Sequence, residues 1–575
     1  MQDPERFFRK PVHPLQRRYE ALRAYFVEHL TPGEVGRLFD YTPHSVEVLA
    51  SRLRNDQLPP FFRDIPHGRK DRPVAGTLKE SVLELRKQNL SVIDISDRLT
   101  AEGRPVSYHT AWLILHEAGI GRLPRRSAVE RTKITKLHPP VADIGDLVLF
   151  PGRTIQCRAP LVFLFAPLLA KMHIDSLVSK ARYPGTSMIP AASYIRSLLA
   201  LKLLFRSRKK DVMPIADDEG FGLFAGLNVL PKTTALSDYS YRIGPEPHRA
   251  LLRGVVRARN GMGAYPGLSF NLDFHVIRHF GDVKNSALEK DYAVRRSQSV
   301  PAVVASFAQE LESREMVYTN ANILKRDKSD EVLRFVDFWK SVTGKLPDEI
   351  VFDAHMTTHE GLAELDRIGI KFITLRERRP AEILRVRSEN PDKWEKVMLD
   401  IEDRKWRTPK VLVEKVEISG YPGKIRQISA LDLGREEPTF ILTNDARRGP
   451  ASLLTRYARR TLIENSLGEQ VRFFHVDALS SSVRIKVDLD TVLSVVASGC
   501  YRWLAKNLKG FETATARTLW DSFLDRPGSI RLTEKEVVIR VRRFSRAPVL
   551  LESAVPRDPT EIPWLGNRKV RVEIL

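Results

Sequence analysis

The sequence predicts a multidomain chain: an all-α front end of helix-turn-helix units, then an α/β domain interrupted by a β-rich insertion. Three observations predict it. At 575 residues the chain exceeds what a single hydrophobic core supports. Short helices with Ser or Thr caps recur as far as Ala118, and a period-two alternation of apolar and polar residues begins at Leu268. A hydrophobic content of 42% with 29% charged residues is that of a globular protein.

Charge comes next. Lys and Arg number 93 against 71 Asp and Glu, leaving a net +22. Such an excess favours a polyanionic partner through counterion release, and double-stranded DNA is the first candidate. An anionic membrane surface competes, but there is no basic amphipathic anchor. The longest apolar run, Leu161–Ala170, is about half the roughly 20 residues that a spanning helix needs. The charged N-terminus does not read as a signal peptide. Cys157 and Cys500, the 2 cysteines, lack metal-ligand spacing, which excludes a disulfide framework and a Cys-based zinc finger. A cytoplasmic location is expected.

Residues 1–58 read as a first DNA-binding unit. Thr31 caps a helix to Leu38, a turn follows, and Thr42 caps a second helix from Pro43 to about Arg54, with His44, Ser45 and Arg52 as outward contacts. Residues 77–121 repeat the theme, with helices at Leu78–Gln88, Ser91–Leu99 and Ser107–Ala118, the last presenting Tyr108, His109 and Thr110 and ended by Gly119. Basic connectors follow each unit, with Arg69 and Lys70 in the first, and Arg125 and Arg126 in the linker 122–157. Flexible basic segments track phosphates or the minor groove, or act as solvated tethers. Residues 158–262 read as a helical intermediate domain in which Asp217, Asp218 and Glu219 mark a turn or helix start.

A core region, 263–375, begins with a strand in which Phe270, Leu272, Phe274 and Val276 alternate with Asn271, Asp273 and His275. Strands at Ala302–Ala308 and Met316–Ile323, a helix at Ser329–Val342, and a strand at Glu349–Phe352 ending in Asp353 follow. A helix (Thr358–Ile368) and a strand (Ile370–Leu375) complete it. Three strands, a helix, then strand-helix-strand is the order of the RNase H-like fold. There the first and fourth strands are neighbours, so Asp273 and Asp353 would meet. Two adjacent carboxylates repel unless a hard cation neutralises them. His355 and His359 are four apart but lack the Glu of a metalloprotease motif, and read as turn and helix-start residues.

Residues 376–437 form the β-rich insertion, with strands at Val411–Ile418 and Lys424–Leu431; Thr439–Thr443 re-enters the core, whose second part is 438–510. A helix from Ala451 to about Gly468 then carries Tyr457, Arg460 and Glu464 along one face. The bland alternative is an Arg460–Glu464 surface pair. Residues 511–575 form a C-terminal region.

This combination resembles bacterial insertion-sequence DDE transposases, in particular the branch with a Tyr-x2-Arg-x3-Glu-x6-Lys helix and a β-rich insertion. Tyr457, Arg460 and Glu464 match at the family spacing; the fourth position is Val471, with Arg472 one residue later, which fills the Lys role only if the helix end adjusts. Asp353-Ala-His also departs from the family's Asp-x-Gly run. The resemblance implies Asp273, Asp353 and Glu464 as catalytic ligands of two Mg²⁺ or Mn²⁺ ions about 3.5–4 Å apart. It implies that Tyr457, Arg460 and Arg472 contact DNA and that an aromatic of the insertion, Trp394 or Trp406, receives a flipped base. It further implies binding of terminal inverted repeats, cleavage, strand transfer into target DNA, excision through hairpin ends, and a homodimer across paired ends. A catalytically inactive regulator and an RNase H-like repair or recombination nuclease are the alternatives.

Overall fold

The computed structural model describes residues 4–58, 61, 77–88, 90–120, 144, 147, 149–279, 288–293, 298–401, 406–478 and 483–575. The chain is a multidomain mixture of helix and sheet and divides into two compact units, Met1–Leu137 and His138–Leu575. Among the described residues, no single helix is long and apolar enough to cross a membrane.

Among its described residues, the first unit holds a short helix, Pro4–Arg9, and two three-helix bodies. In the first, α1 (Pro14–Phe26), α2 (Pro32–Phe39) and α3 (Pro43–Arg54) enclose Ala21, Ala24, Val35, Phe39 and Val46. The sequence reading contains no counterpart of α1. A capping box starts α2: the Thr31 amide donates to Glu34 at 2.8 Å and the Glu34 amide to Thr31 Oγ1 at 3.4 Å. Asp40 ends α2 in the left-handed region (φ 57°), giving a tight turn into α3. The second body, α4 (Thr77–Lys87), α5 (Val92–Ala101) and α6 (Tyr108–Glu117), closes on Val82, Ile95, Leu99, Ala111 and Leu115. Its α5–α6 connection, residues 102–107, is longer than the tight turn of the first body.

The second unit opens with β1 (Thr154–Cys157), at the end of the segment expected to be a linker, followed by helical structure in which Asp218 Oδ1 caps a short helix through the Gly220 amide at 3.0 Å. The main sheet then begins with β2 (Ser269–Arg278), β3 (Lys290–Ala293), β4 (Gln298–Glu310) and β5 (Met316–Asn320). Helix α7 (Glu331–Thr343) leads into β6 (Glu349–Phe352), and α8 (His359–Arg367) into β7 (Lys371–Leu375). Strands β8 (Glu395–Lys396), β9 (Lys410–Glu417), β10 (Lys424–Leu431) and β11 (Thr439–Thr443) follow.

Strand β5 pairs with β4, and from β4 the order continues β2, β6, β7, β11, β10, β9, β8. The β2–β6 and β6–β7 pairs are parallel, while β2–β4 and β4–β5 are antiparallel. The strands of the expected insertion therefore extend the same sheet beyond β7 through the antiparallel β7–β11 pair rather than building a sheet of their own. On the apolar side of β2, α7 packs Phe335 and Trp339 against Phe270, with ring centroids 5.1 and 4.6 Å apart.

Two further helices, α9 (Pro450–Ala458) and α10 (Thr461–Arg472), and the long α11 (Arg484–Lys506) follow. The single helix expected from Ala451 to Gly468 is two. Thr461 Oγ1 donates to the Ala458 carbonyl at 2.8 Å, and the Arg460 amide bonds three residues back to Tyr457 at 2.9 Å. The break is thus a tightened turn at Arg459–Arg460, with a hydroxyl taking one of the helix carbonyls. The remaining strands, β12 (Gly528–Leu532), β13 (Glu536–Val541), β14 (Glu561–Ile562) and β15 (Arg568–Ile574), form a second sheet with β1 at one edge, paired antiparallel to β12.

Candidate active site

The polar face of β2 is covered, not solvated. Asn271 is fully buried and Asp273 is about five-sixths buried, with 17% of its side chain exposed. Parallel pairing matches Ser269 with Glu349 and Asn271 with Val351. Two residues further along the chain in each case stand Asp273, on β2, and Asp353, just past the end of β6. The β2–β6 adjacency needed for these acids to meet is thus present.

Each acid is held differently. Asp273 Oδ1 accepts from the Phe274 amide at 2.9 Å, and its Oδ2 accepts from Arg460 Nη1 at 2.8 Å. Asp353, in extended conformation, leaves β6 and accepts from the Ala354 amide at 2.7 Å. Glu464 lies in the first turn of α10, where the helix dipole favours a carboxylate, and Oε1 accepts from Arg460 Nη2 at 2.9 Å. Its side chain is half exposed.

Electrostatics tie the three together. Burial pushes the Asp273 carboxyl up to about 6; Arg460 opposes the shift, while Asp353 and Glu464 add to it. Burial likewise raises Tyr457 to about 12 against the pull of Arg460, whose Cζ lies 5.9 Å from the Tyr457 ring centre. The site therefore holds three carboxylates and one central cation. Among the described residues, no three His, Cys, Asp or Glu side chains stand at ligating separation. The donor set is all oxygen, which suits Mg²⁺ in chemistry; Arg460 now occupies oxygens of Asp273 and Glu464 that a cation would need.

Tyr457, Arg460 and Glu464 also line a cavity of about 320 Å³ with Arg378 and Arg435 of the expected insertion. Trp406 is half exposed and lies over the left-handed turn at Gly434, where an added Cβ would meet its ring at 2.7 Å. Trp394 instead packs beside Val386, Leu412 and Phe440. Arg472 is exposed at the far end of α10, about 12 Å along the helix from Glu464. His355 sits in a turn with its Nδ1 3.5 Å from Glu377, and His359 begins α8 with its Nδ1 2.7 Å from the Ser419 carbonyl.

In the first unit, His44 and Arg52 are exposed on α3, and Tyr108 and His109 on α6. Ser45 and Thr110 hold matching positions: Ser45 Oγ is 2.7 Å from Thr42 Oγ1, and Thr110 Oγ1 is 2.9 Å from Ser107 Oγ. Arg69, Lys70, Arg125 and Arg126 lie outside the described residues.

Sequence reasoning missed three participants. Arg456, four residues before Arg460, is buried against Glu349, Asn271 and Ser269; the spacing Arg456, Arg460, Glu464 was the available signal. His275, two residues beyond Asp273, has its Nε2 2.5 Å from Asp477 Oδ1. Trp112 stacks on His116, 4.9 Å between ring centres, on the exposed side of α6.

No protein-family model matches this sequence, and no curated protein does. Among solved structures, the chain is similar to a piggyBac transposase in a synaptic complex with hairpin DNA, at 10% identity and a TM-score of 0.32, over 65% of this chain and 82% of that one.

Proposed function

We propose that this chain is a DNA transposase of the DDE class, with an RNase H-like catalytic core that cuts and joins DNA at the terminal inverted repeats of an insertion sequence. The observation that carries the reading is the convergence of Asp273, Asp353 and Glu464 from two paired strands and one helix around a single arginine. The strand order β5–β4–β2–β6–β7, with its pattern of parallel and antiparallel pairs, supports the RNase H-like assignment. The net charge of +22 supports a DNA partner.

Asp273, Asp353 and Glu464 would hold two Mg²⁺ or Mn²⁺ ions, which when bound lower the barrier for in-line attack on a phosphodiester. Arg460 has a separate part. It neutralises Asp273 and Glu464, and on DNA binding its planar fork turns to a phosphate at the cut. Tyr457, beside it, bounds the cavity that takes the strand end, with Trp406 at the rim of the insertion. His44, Ser45 and Arg52 on α3, and Tyr108, His109 and Thr110 on α6, would contact the repeats, with the basic connectors along phosphates. A homodimer spans the paired ends, hairpin ends are the excision intermediate, and the protein works on the nucleoid of a bacterial cytoplasm.

The test is to incubate purified protein with DNA carrying the ends that flank its gene, with and without Mg²⁺. Cleavage at the ends followed by joining to target DNA is expected. Cleavage without joining would instead mean a nuclease, and tight end binding without any cleavage would mean a regulator.

A further inference from the structure

Beneath the three carboxylates runs a buried chain of polar side chains. Arg456 Nη1 donates to Asn271 Oδ1 at 2.8 Å, Nη2 to Ser269 Oγ at 2.9 Å, and Nε to Glu349. Ser269 Oγ in turn donates to Glu349 Oε1 at 2.9 Å. From Asn271 the chain continues to Gln309 Oε1 at 3.5 Å, and Gln309 Nε2 donates to Ser466 Oγ at 2.6 Å. Arg448 closes the other end, paired with both Glu349 and Asp445. Arg456 is 7% exposed and Asn271 and Gln309 are fully buried, so solvent does not serve these groups.

Four of its members lie close in sequence to a member of the site, and Gln309, on β4, bridges two of those four. Asn271 is two residues before Asp273 on β2, Glu349 four before Asp353 on β6, Ser466 two after Glu464 on α10, and Arg456 four before Arg460. We infer that Arg456, with Asn271 and Gln309, is a positioning device that sets the mutual register of the three acid-bearing elements. The inference rests on the proposed catalytic role of the triad.

Two features require such a device. The β2–β6 pairing runs only from Ser269 to Asn271, and a slip of one residue would turn Asp353 to the opposite face. Arg456 and the Ser269–Glu349 bond fasten the first rung of that pairing. The other feature is the break at Arg459–Arg460, which removes the rigidity that one continuous helix would give Glu464. Anchors on either side, Arg456 on α9 and Ser466 on α10, restore it. Directional hydrogen bonds fix a register, whereas apolar packing of equal volume tolerates sliding.

The experiment compares wild type, Arg456→Lys, Arg456→Met and Gln309→Met in the full chain, well below each variant's melting temperature. Readouts are cleavage of end DNA and amide hydrogen exchange of residues 410–431 and 450–472. Arg456→Met is expected to lower kcat about 100-fold, the scale of a 1 Å misplacement, with KM for end DNA unchanged. Gln309→Met and Arg456→Lys fall in between, and exchange quickens in α9 and α10 while β9 and β10 keep their protection. If all three variants stay folded and retain wild-type kcat, the positioning role is overturned. If wild type itself does not cut, the transposase reading fails separately. Exchange then decides the clamp: unchanged protection of α9 and α10 in the Met variants overturns it, and selective loosening upholds it.

Discussion

In the three-helix bodies of the first unit, the hydroxyls that start α3 and α6 are held by neighbours a turn away. Ser45 leans on Thr42 and Thr110 on Ser107, both three residues back, while His44, Arg52 and Tyr108 stand exposed. In the second unit, the acid on β2 is held by an arginine 187 residues further on, and Arg456 reaches Glu349 across 107 residues. A surface that is to meet a long polyanion can keep mobile cations on local scaffolds, because phosphate contacts are many and individually weak. A site that is to place charges around one phosphorus atom needs them fixed to a fraction of an ångström, and only long-range packing does that.

That contrast can be broken at either end. The largest effect is expected at the acids. Asp273→Ala, Asp353→Ala and Glu464→Ala should each lower cleavage by at least about 10³-fold, as loss of several kcal/mol of metal chemistry requires, while gel-shift affinity for end DNA stays near wild type. If end binding fell with cleavage, the division of labour between the units would be wrong. Next, Phe335→Ala under β2 should destabilise the second unit by about 3–5 kcal/mol in denaturant titration, and leave the helical signal of the first unit intact.

A pH effect on stability is expected in the second unit. Burial raises the carboxyl of Asp488, which accepts from the Ala321 amide at 2.8 Å, to about 6. A folded-state value above the unfolded one means that the neutral acid suits the fold. Its contribution is complete below about pH 4 and is lost as pH rises through about 6. Asp488→Asn should therefore gain stability over wild type as pH rises across that window, by up to about 3 kcal/mol, read as the difference between two unfolding series. A pH-independent difference would contradict the buried-acid reading. On the first unit, Arg52→Ala should weaken end binding and reduce the salt slope by about 1, without altering the cleavage rate of saturated complexes. The smallest effect is the loss of a cap: Thr42→Ala or Ser107→Ala should cost about 1 kcal/mol in the stability of its own helix bundle.

The same contrast explains what was legible in the sequence. Capping residues Thr31, Thr42, Ser91 and Ser107 act within three positions, so their helices could be read directly. Strand alternation from Phe270 and the apolar run before Asp353 located two acids, and element order gave their adjacency. Helical spacing pointed to Glu464 and Arg460 as neighbours, yet hid the break at Arg459–Arg460, because the apolar periodicity runs on through it. The spacing Arg456, Arg460, Glu464 put Arg456 on the same helix face, but nothing local says that Glu349 and Asn271 lie beneath it. Strands β9 and β10 were legible as strands but not as part of the main sheet, because the β7–β11 pairing that joins them is long-range. Arg472, one position beyond the family's Lys, stays exposed at the end of α10 and away from the acids.

The central claim is that Asp353 and its partners hold the metal that cuts DNA, and a change of ligand softness tests it most directly. Asp353→Cys should bind ends normally, cut at least about 10-fold more slowly than wild type in Mg²⁺, and recover in Mn²⁺, which accepts a thiolate more readily than Mg²⁺ does. A folded Asp353→Cys protein that binds ends and cuts equally well in both metals would contradict it.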